Sequence, residues 1–283
     1  MTIMSSIVKR YELLEWIPID KLNWDYISAN PNAISLCEKN LNMINWRLLS
    51  TNPNAIELLE KYPENIDWDY LSRNPNATNL LLKHPEKVNY INLSANTNSK
   101  IISMFKEHKD KFNWHTLSRE SSNIEFLKEN IEYVSWWLLS ANPYAMELLL
   151  SNPEKIDYKM LSFNTSPEAI ELLSKNKKKI NWEYLSGNPN AIEILRNNPK
   201  KIYWDDLSEN PNAIEILNEN QKKIDWERLS ANPNAIDILI RNPKKIDWTE
   251  LSENPNAIEI LKANQTKISW HCISSNPSIF KEI

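Results

Sequence analysis

From Leu229 to Leu251 the apolar positions fall into two short clusters, Ala235-Ile236-Ile238-Leu239 and Ile246-Trp248-Leu251, each introduced by a polar turn. Strides of 22 from Trp248 meet Trp226, Trp204, Trp182 and Trp270. After a slip of two residues they continue through Tyr158, Trp136 and Trp114, and after a second slip through Tyr90, Trp68, Trp46 and Trp24. Twelve tandem copies of one short motif are the signature of a solenoid, and that reading takes precedence over any single residue.

In each copy the run Asn254-Pro255-Asn256-Ala257-Ile258-Glu259-Ile260-Leu261 predicts a helix A of about nine residues, with Asn as N-cap and Pro in the first turn, where its missing N–H costs nothing. Ala257, Ile258, Ile260 and Leu261 share one apolar arc, so one face is buried. An Asn-Pro such as Asn242-Pro243 stops the helix, because a residue before proline avoids the α conformation. A second start at Ile246-Asp247-Trp248 predicts a helix B carrying the aromatic, with Asp as cap. Eleven of the twelve residues before the aromatic are Asn, Asp or Ser, Tyr203 being the exception, and the fourth residue after it is Ser every time. On helix B the aromatic, the Leu and the Ser share one side, so the hydroxyl faces inward and needs a partner. Ser252, Trp248 and Asn254 are therefore expected to form a network, indole included, that closes the turn into the next helix A. Ala at Ser230 or Asn232 is expected to cost roughly 1 kcal/mol.

Helices this short are marginal alone, so stacking must supply the burial. The expected architecture is an all-α solenoid of about twelve 22-residue repeats, each with two short helices, forming a superhelical rod on the order of 100 Å long, with two helical layers and an exposed concave and convex face. Residues 1–23 are read as a degenerate capping helix centred on residues 11–16, residues 24–275 as the repeat array, and residues 276–283 as a partial repeat that begins another helix A. The repeat is irregular where Asn96-Thr97 and Glu120-Ser121 replace Asn-Pro, and at Asn164-Thr165-Ser166-Pro167, where two residues are inserted. Insertions in arrays map to loops on one face, so these are candidate bends or binding loops, or simple drift.

Composition narrows the function classes. A single Gly in 283 residues excludes the glycine-rich phosphate loops of the Rossmann and P-loop types. A net charge of −4 gives no general attraction to nucleic acid or an anionic membrane. Cys37 and Cys272 lie in distant copies, which suggests a reducing compartment, and the first twenty residues show neither a secretion leader nor a membrane span. His84, His108, His115 and His271 are scattered without metal-ligand spacing, so no catalytic residue, metal or cofactor is expected.

Two surface patterns remain. The position two after the aromatic reads Tyr26, Leu48, Tyr70, then Leu138, Met160 and Tyr184, before turning to Asp206, Arg228 and Glu250. With Trp137 this is either a peptide-binding stripe or a row of core residues covered by curvature. Lys178, Lys200, Lys222 and Lys244 recur between helices A and B, either as a basic edge for phosphates or an acidic partner, or as a solvated loop.

The recurring Leu-Ser-x-Asn-Pro-Asn-Ala-Ile-Glu-Ile-Leu and Ile-Asp-Trp segments, over about residues 20–283, resemble the Asn-Pro/Trp tandem-repeat proteins of amoeba-infecting giant DNA viruses of the mimivirus group. The resemblance implies an intracellular viral protein, in host cytoplasm or virion, and carries over no functional residue. The expected function is a non-enzymatic scaffold binding a protein or peptide on a solenoid face. Alternatives are a modular reader of single-stranded nucleic acid, which the acidic balance weighs against, and a structural component self-associating through its ends.

Overall fold

The computed structural model describes residues 10–283. The all-α solenoid is present, and each repeat is named here by its aromatic, from Trp24 in repeat 1 to Trp270 in repeat 12. Helices B are short, such as Trp24–Ala29, Trp46–Leu49 and Trp226–Ala231. The residue before the aromatic caps most of them: Asn23, Asp67, Asn181 and Asp247 each accept from backbone N–H groups of the first turn, whereas Tyr203 does not.

Helix A differs from its expected form. In the regular copies it is shorter, as in Ile236–Arg241 and Ile258–Ala263, and the Asn-Pro-Asn before it is a separate turn that leaves Ala235 or Ala257 at the helix start without a side-chain cap. The reason is that the Asn side chain is engaged elsewhere, as described below. Only repeat 7 leads into a helix A of the expected kind, Pro167–Lys175, with Ser166 as cap and Pro at its first position. The Asn ending helix A turns its amide back onto the carbonyl four residues earlier, as Asn242 does to Ile238 O at 2.9 Å and Asn264 to Ile260 O at 2.9 Å, satisfying a carbonyl the helix leaves open. A single 3₁₀ turn, such as Pro199–Lys201, usually follows. Among the described residues no backbone φ is positive, so these turns need no glycine.

Two polar ladders join each repeat to the next. In all twelve repeats the helix B Ser hydroxyl donates to the carbonyl of its aromatic at 2.6–3.0 Å, folding back one turn. The same hydroxyl accepts from the backbone N–H of a helix B cap one repeat on, at 2.8–3.0 Å. The buried Asn before Pro forms the second ladder. Its oxygen accepts from the N–H two residues on, as Asn232 does from Asn234, and its amide donates to two carbonyls of the preceding repeat, Ser208 O at 3.0 Å and Asn210 O at 3.1 Å. The network thus runs between repeats. The indole takes no part in it: the Ser partner is the aromatic residue's carbonyl, and Trp114 Nε1 instead donates to Lys109 O.

The array closes on itself, and this corrects the rod. Asn23 N–H donates to Ser274 Oγ at 2.9 Å, the amide of Asn30 donates to Ser274 O at 3.3 Å and Asn276 O at 3.2 Å, and Asn32 donates to Pro277 O at 3.1 Å. These are the bonds every regular repeat makes to its predecessor, so repeat 12 stands as the predecessor of repeat 1 in a twelve-membered ring. Lys21 over the Trp270 ring, at 4.9 Å, repeats the contact that Lys267 makes with Trp248 at 4.5 Å.

Both chain ends differ from their expected helices. Residues 11–16 do not form a helix: Tyr11–Leu13 is a strand, β1. The last residues form a 3₁₀ turn, Pro277–Ile279, and a strand, Phe280–Glu282, β2. β1 and β2 pair antiparallel, Glu12 opposite Lys281, and the pairing extends through Leu14 N to Ile279 O and Ile283 N to Arg10 O. This small sheet packs beside the helix Ile34–Lys39, filling the place of the missing helix A. The fully buried Ile279 and nearly buried Phe280 join the core there. The two ends of the array therefore cover one another, which leaves no stacking face for the alternative of self-association through them.

Consecutive helices B, such as Trp182–Gly187 and Trp204–Glu209, pack directly together, while no consecutive pair of helices A is as close. Helices B therefore form the inner layer of the ring. With packed helices about 8–10 Å apart and about 10–12 Å thick, twelve steps leave an opening about 20–28 Å across.

Candidate functional site

The structural side chains recur around the ring with few exceptions, so functional individuality lies where residues vary and are exposed. On helix B those are the first, second and fifth positions after the aromatic, which line the opening. One arc carries exposed apolar and aromatic side chains interleaved with the charged Asp25, Arg47, Asp69, Arg73, Arg119 and Lys159. Ile91 is 63 % exposed, Trp137 51 %, Phe163 43 % and Tyr26 37 %, unusually high for such side chains. The next arc is acidic, built from Glu183, Asp205, Asp206, Glu209, Glu227, Glu250 and Glu253, with Arg228 the cation among them.

The stripe expected from the sequence lies on this inner wall in two states. Tyr26 and Trp137 are exposed and Leu48, Tyr70 and Tyr184 half-buried, so these can meet a partner. Leu138 and Met160 are buried, closed off by the curvature that brings neighbouring helices B together. Tyr26 meets His271 edge-on at 4.8 Å across the seam, and Arg47 lies over Tyr70 at 4.3 Å.

The two arcs meet at repeats 7 to 9. Phe163 and Tyr184 stack with centroids 3.9 Å apart, and they line a cleft of about 480 Å³ with Thr165, Glu183, Asp206 and Glu209. Gly187, the chain's one glycine, lies in its wall; a Cβ there would meet Asp206 Cβ at an ordinary 3.9 Å, so its absence relieves no clash. Thr165 stands where Pro189 and Pro211 stand in the next repeats, its carbonyl accepting from the amide of Asn190, so the two extra residues enter after it, at the start of the helix Pro167–Lys175. Arg228 reaches Asp206 at 3.2 Å and Glu209 at 3.6 Å. Even so, burial pushes the Asp206 carboxyl above its usual range, with Glu183 and Asp205 adding to the rise against the pull of Arg228. Glu250 is raised as well, by burial first and then by Glu253, Asp247, Glu227 and Glu209. Negative charge on this arc is thus only partly compensated.

Phe163, Glu183 and Glu209 were missed by a reading confined to the second position after the aromatic. The signal was available at the first and fifth positions, once it was known that these face the same opening.

Lys178, Lys200, Lys222 and Lys244 are all exposed at equivalent places between helices A and B, as a row along one rim. Neighbouring lysines are otherwise engaged, Lys179 over Tyr158 at 4.1 Å and Lys223 over Trp204 at 4.5 Å. Burial pushes the Cys37 thiol up to about 12, so it is no nucleophile at neutral pH. Among the described residues no group of His, Cys, Asp and Glu is arranged to hold a metal ion, and no helix is long and apolar enough to cross a membrane. No family model, curated protein or solved structure matches the chain.

Proposed function

We propose that this protein is a non-enzymatic interaction scaffold, a ring whose inner wall holds an extended, basic segment of a partner protein. The observation that carries this reading is the side-by-side placement of exposed aromatic side chains and a partly compensated acidic surface on the inner helices. Aromatic faces supply contact area at low entropic cost, and an acidic arc selects for cations and raises their rate of encounter. Ladder-locked repeats give a wall that needs little ordering on binding.

Fluorescence anisotropy with a labelled basic peptide, its charge-reversed acidic counterpart and single-stranded RNA tests the reading at two salt concentrations. The basic peptide is expected to bind, and to weaken with salt; preference for the acidic peptide, or for neither, overturns it. The lysine row favours a second reading, in which a phosphate backbone follows the rim. In that case RNA binds, with a steep salt dependence that falls when Lys178, Lys200, Lys222 and Lys244 are replaced by Gln.

A further inference from the structure

The geometry points to the cleft of repeats 7 to 9 as a recognition slot for an arginine side chain of the bound peptide, with Phe163 and Tyr184 as the stacking face and Glu183, Asp206 and Glu209 as the carboxylates that receive the guanidinium. This deepens the basic-segment reading above and rests on it.

A guanidinium is flat, weakly hydrated and five-fold donating, so it suits a site with an aromatic face on one side and carboxylates on the other; an ammonium gains less from the flat face. The cleft supplies both within about 480 Å³. Phe163, being exposed, is held as a platform by its stack on Tyr184, and Lys159 lies 5.4 Å from the Tyr184 centroid, so this aromatic system already accepts a cation. Asp206 and Glu209 already receive one guanidinium, that of Arg228 from the neighbouring repeat. Arg228 and Lys159, both exposed, supply two positive charges against the four of Glu183, Asp205, Asp206 and Glu209, so one further guanidinium enters without reversing the local charge. Arg228 therefore stands as an internal competitor, and its removal should strengthen binding where removal of a true ligand-holding group would weaken it.

The test uses the whole ring and a short labelled peptide carrying arginines, with versions in which lysine or citrulline replaces them. Citrulline keeps the shape and loses the charge, and should weaken binding at least about tenfold; lysine should fall between the two. Phe163→Ala, at an exposed position that leaves the core intact, should weaken the arginine peptide about two- to fivefold. Asp206→Asn should weaken it further, and Arg228→Gln should tighten it. Equal affinity for the lysine and arginine peptides, or binding indifferent to Phe163→Ala and Arg228→Gln, would overturn the slot while leaving the basic-segment reading standing. Failure of every basic peptide to bind the unaltered ring would remove both.

Discussion

Two junctions of the ring make an instructive pair. Repeats 12 and 1 are joined by no peptide bond along the helical path, yet the seam carries the Ser contact, both Asn amide bonds and the Asn32 bond to Pro277 O. Repeats 4 and 5 are covalently continuous, yet Ser121 stands where the ladder needs Asn. It has no amide to give, so the two bonds to Ser94 O and Asn96 O are missing there, and a small cavity of about 20 Å³ lies beside Asn96 and Ser121. The Ser ladder persists, with Asn113 N–H on Ser94 Oγ at 2.8 Å, and Asn123 compensates in part by reaching Ser103 Oγ at 2.7 Å. The hydroxyl bond is what the two junctions share, so it, and neither chain continuity nor the amide, is the contact that every step of the ring keeps.

Removing residues 277–283 should break that comparison most severely. It deletes β2 and the buried Ile279 and Phe280, at a cost on the order of 5 kcal/mol or more. X-ray scattering should show an enlarged radius of gyration and calorimetry a lower melting temperature, and an unchanged radius would count against closure. Next in size, Asn30→Ala at the seam and Asn52→Ala inside the array should each cost about 2 kcal/mol by denaturant titration. The cost at Asn30 should be slightly the smaller, since its bonds are 3.2 and 3.3 Å against 2.9 and 3.0 Å for Asn52. A seam variant with no cost would mean that closure contributes nothing to stability.

Ser121→Asn sharpens the comparison from the other side. An amide there fills the cavity and restores two bonds, for a gain of about 1 kcal/mol in calorimetry. A loss would show that repeat 5, with its longer spacing, holds its turn out of register.

The smallest effect concerns the acidic arc. Because the Glu250 carboxyl is raised, the folded ring binds its proton more tightly than the unfolded chain does, so this residue's contribution to stability falls as pH rises through its titration. Glu250→Gln should raise the melting temperature slightly at neutral pH, and the gain should vanish on acidification, once the wild-type carboxyl is itself protonated. A gain that does not change with pH would assign it to packing.

The repeat length, the inward aromatic, the capping Asn or Asp of helix B and the need of the buried Ser for a partner were all readable from the chain, because each rests on contacts within a few residues. The destination of the Asn side chain was not. Asn254 could cap its own helix or reach back to Ser230 O and Asn232 O, and only the stacked neighbour makes the second choice available. The stripe of candidate contacts was half legible for the same reason: Tyr26 and Leu138 occupy the same position of the repeat, and the local curvature exposes one and covers the other.

The sequence by itself determined a stack of short two-helix modules, since a period that recurs twelve times constrains every copy to the same local answer. Only the tertiary structure decided that the stack is a ring. Closure requires about 30° of turn at each of twelve steps, and that angle is the sum of many small packing differences between inner and outer helices. A few degrees more or less per step, invisible in any one motif, would have left the ends apart and the inner wall open along a spiral.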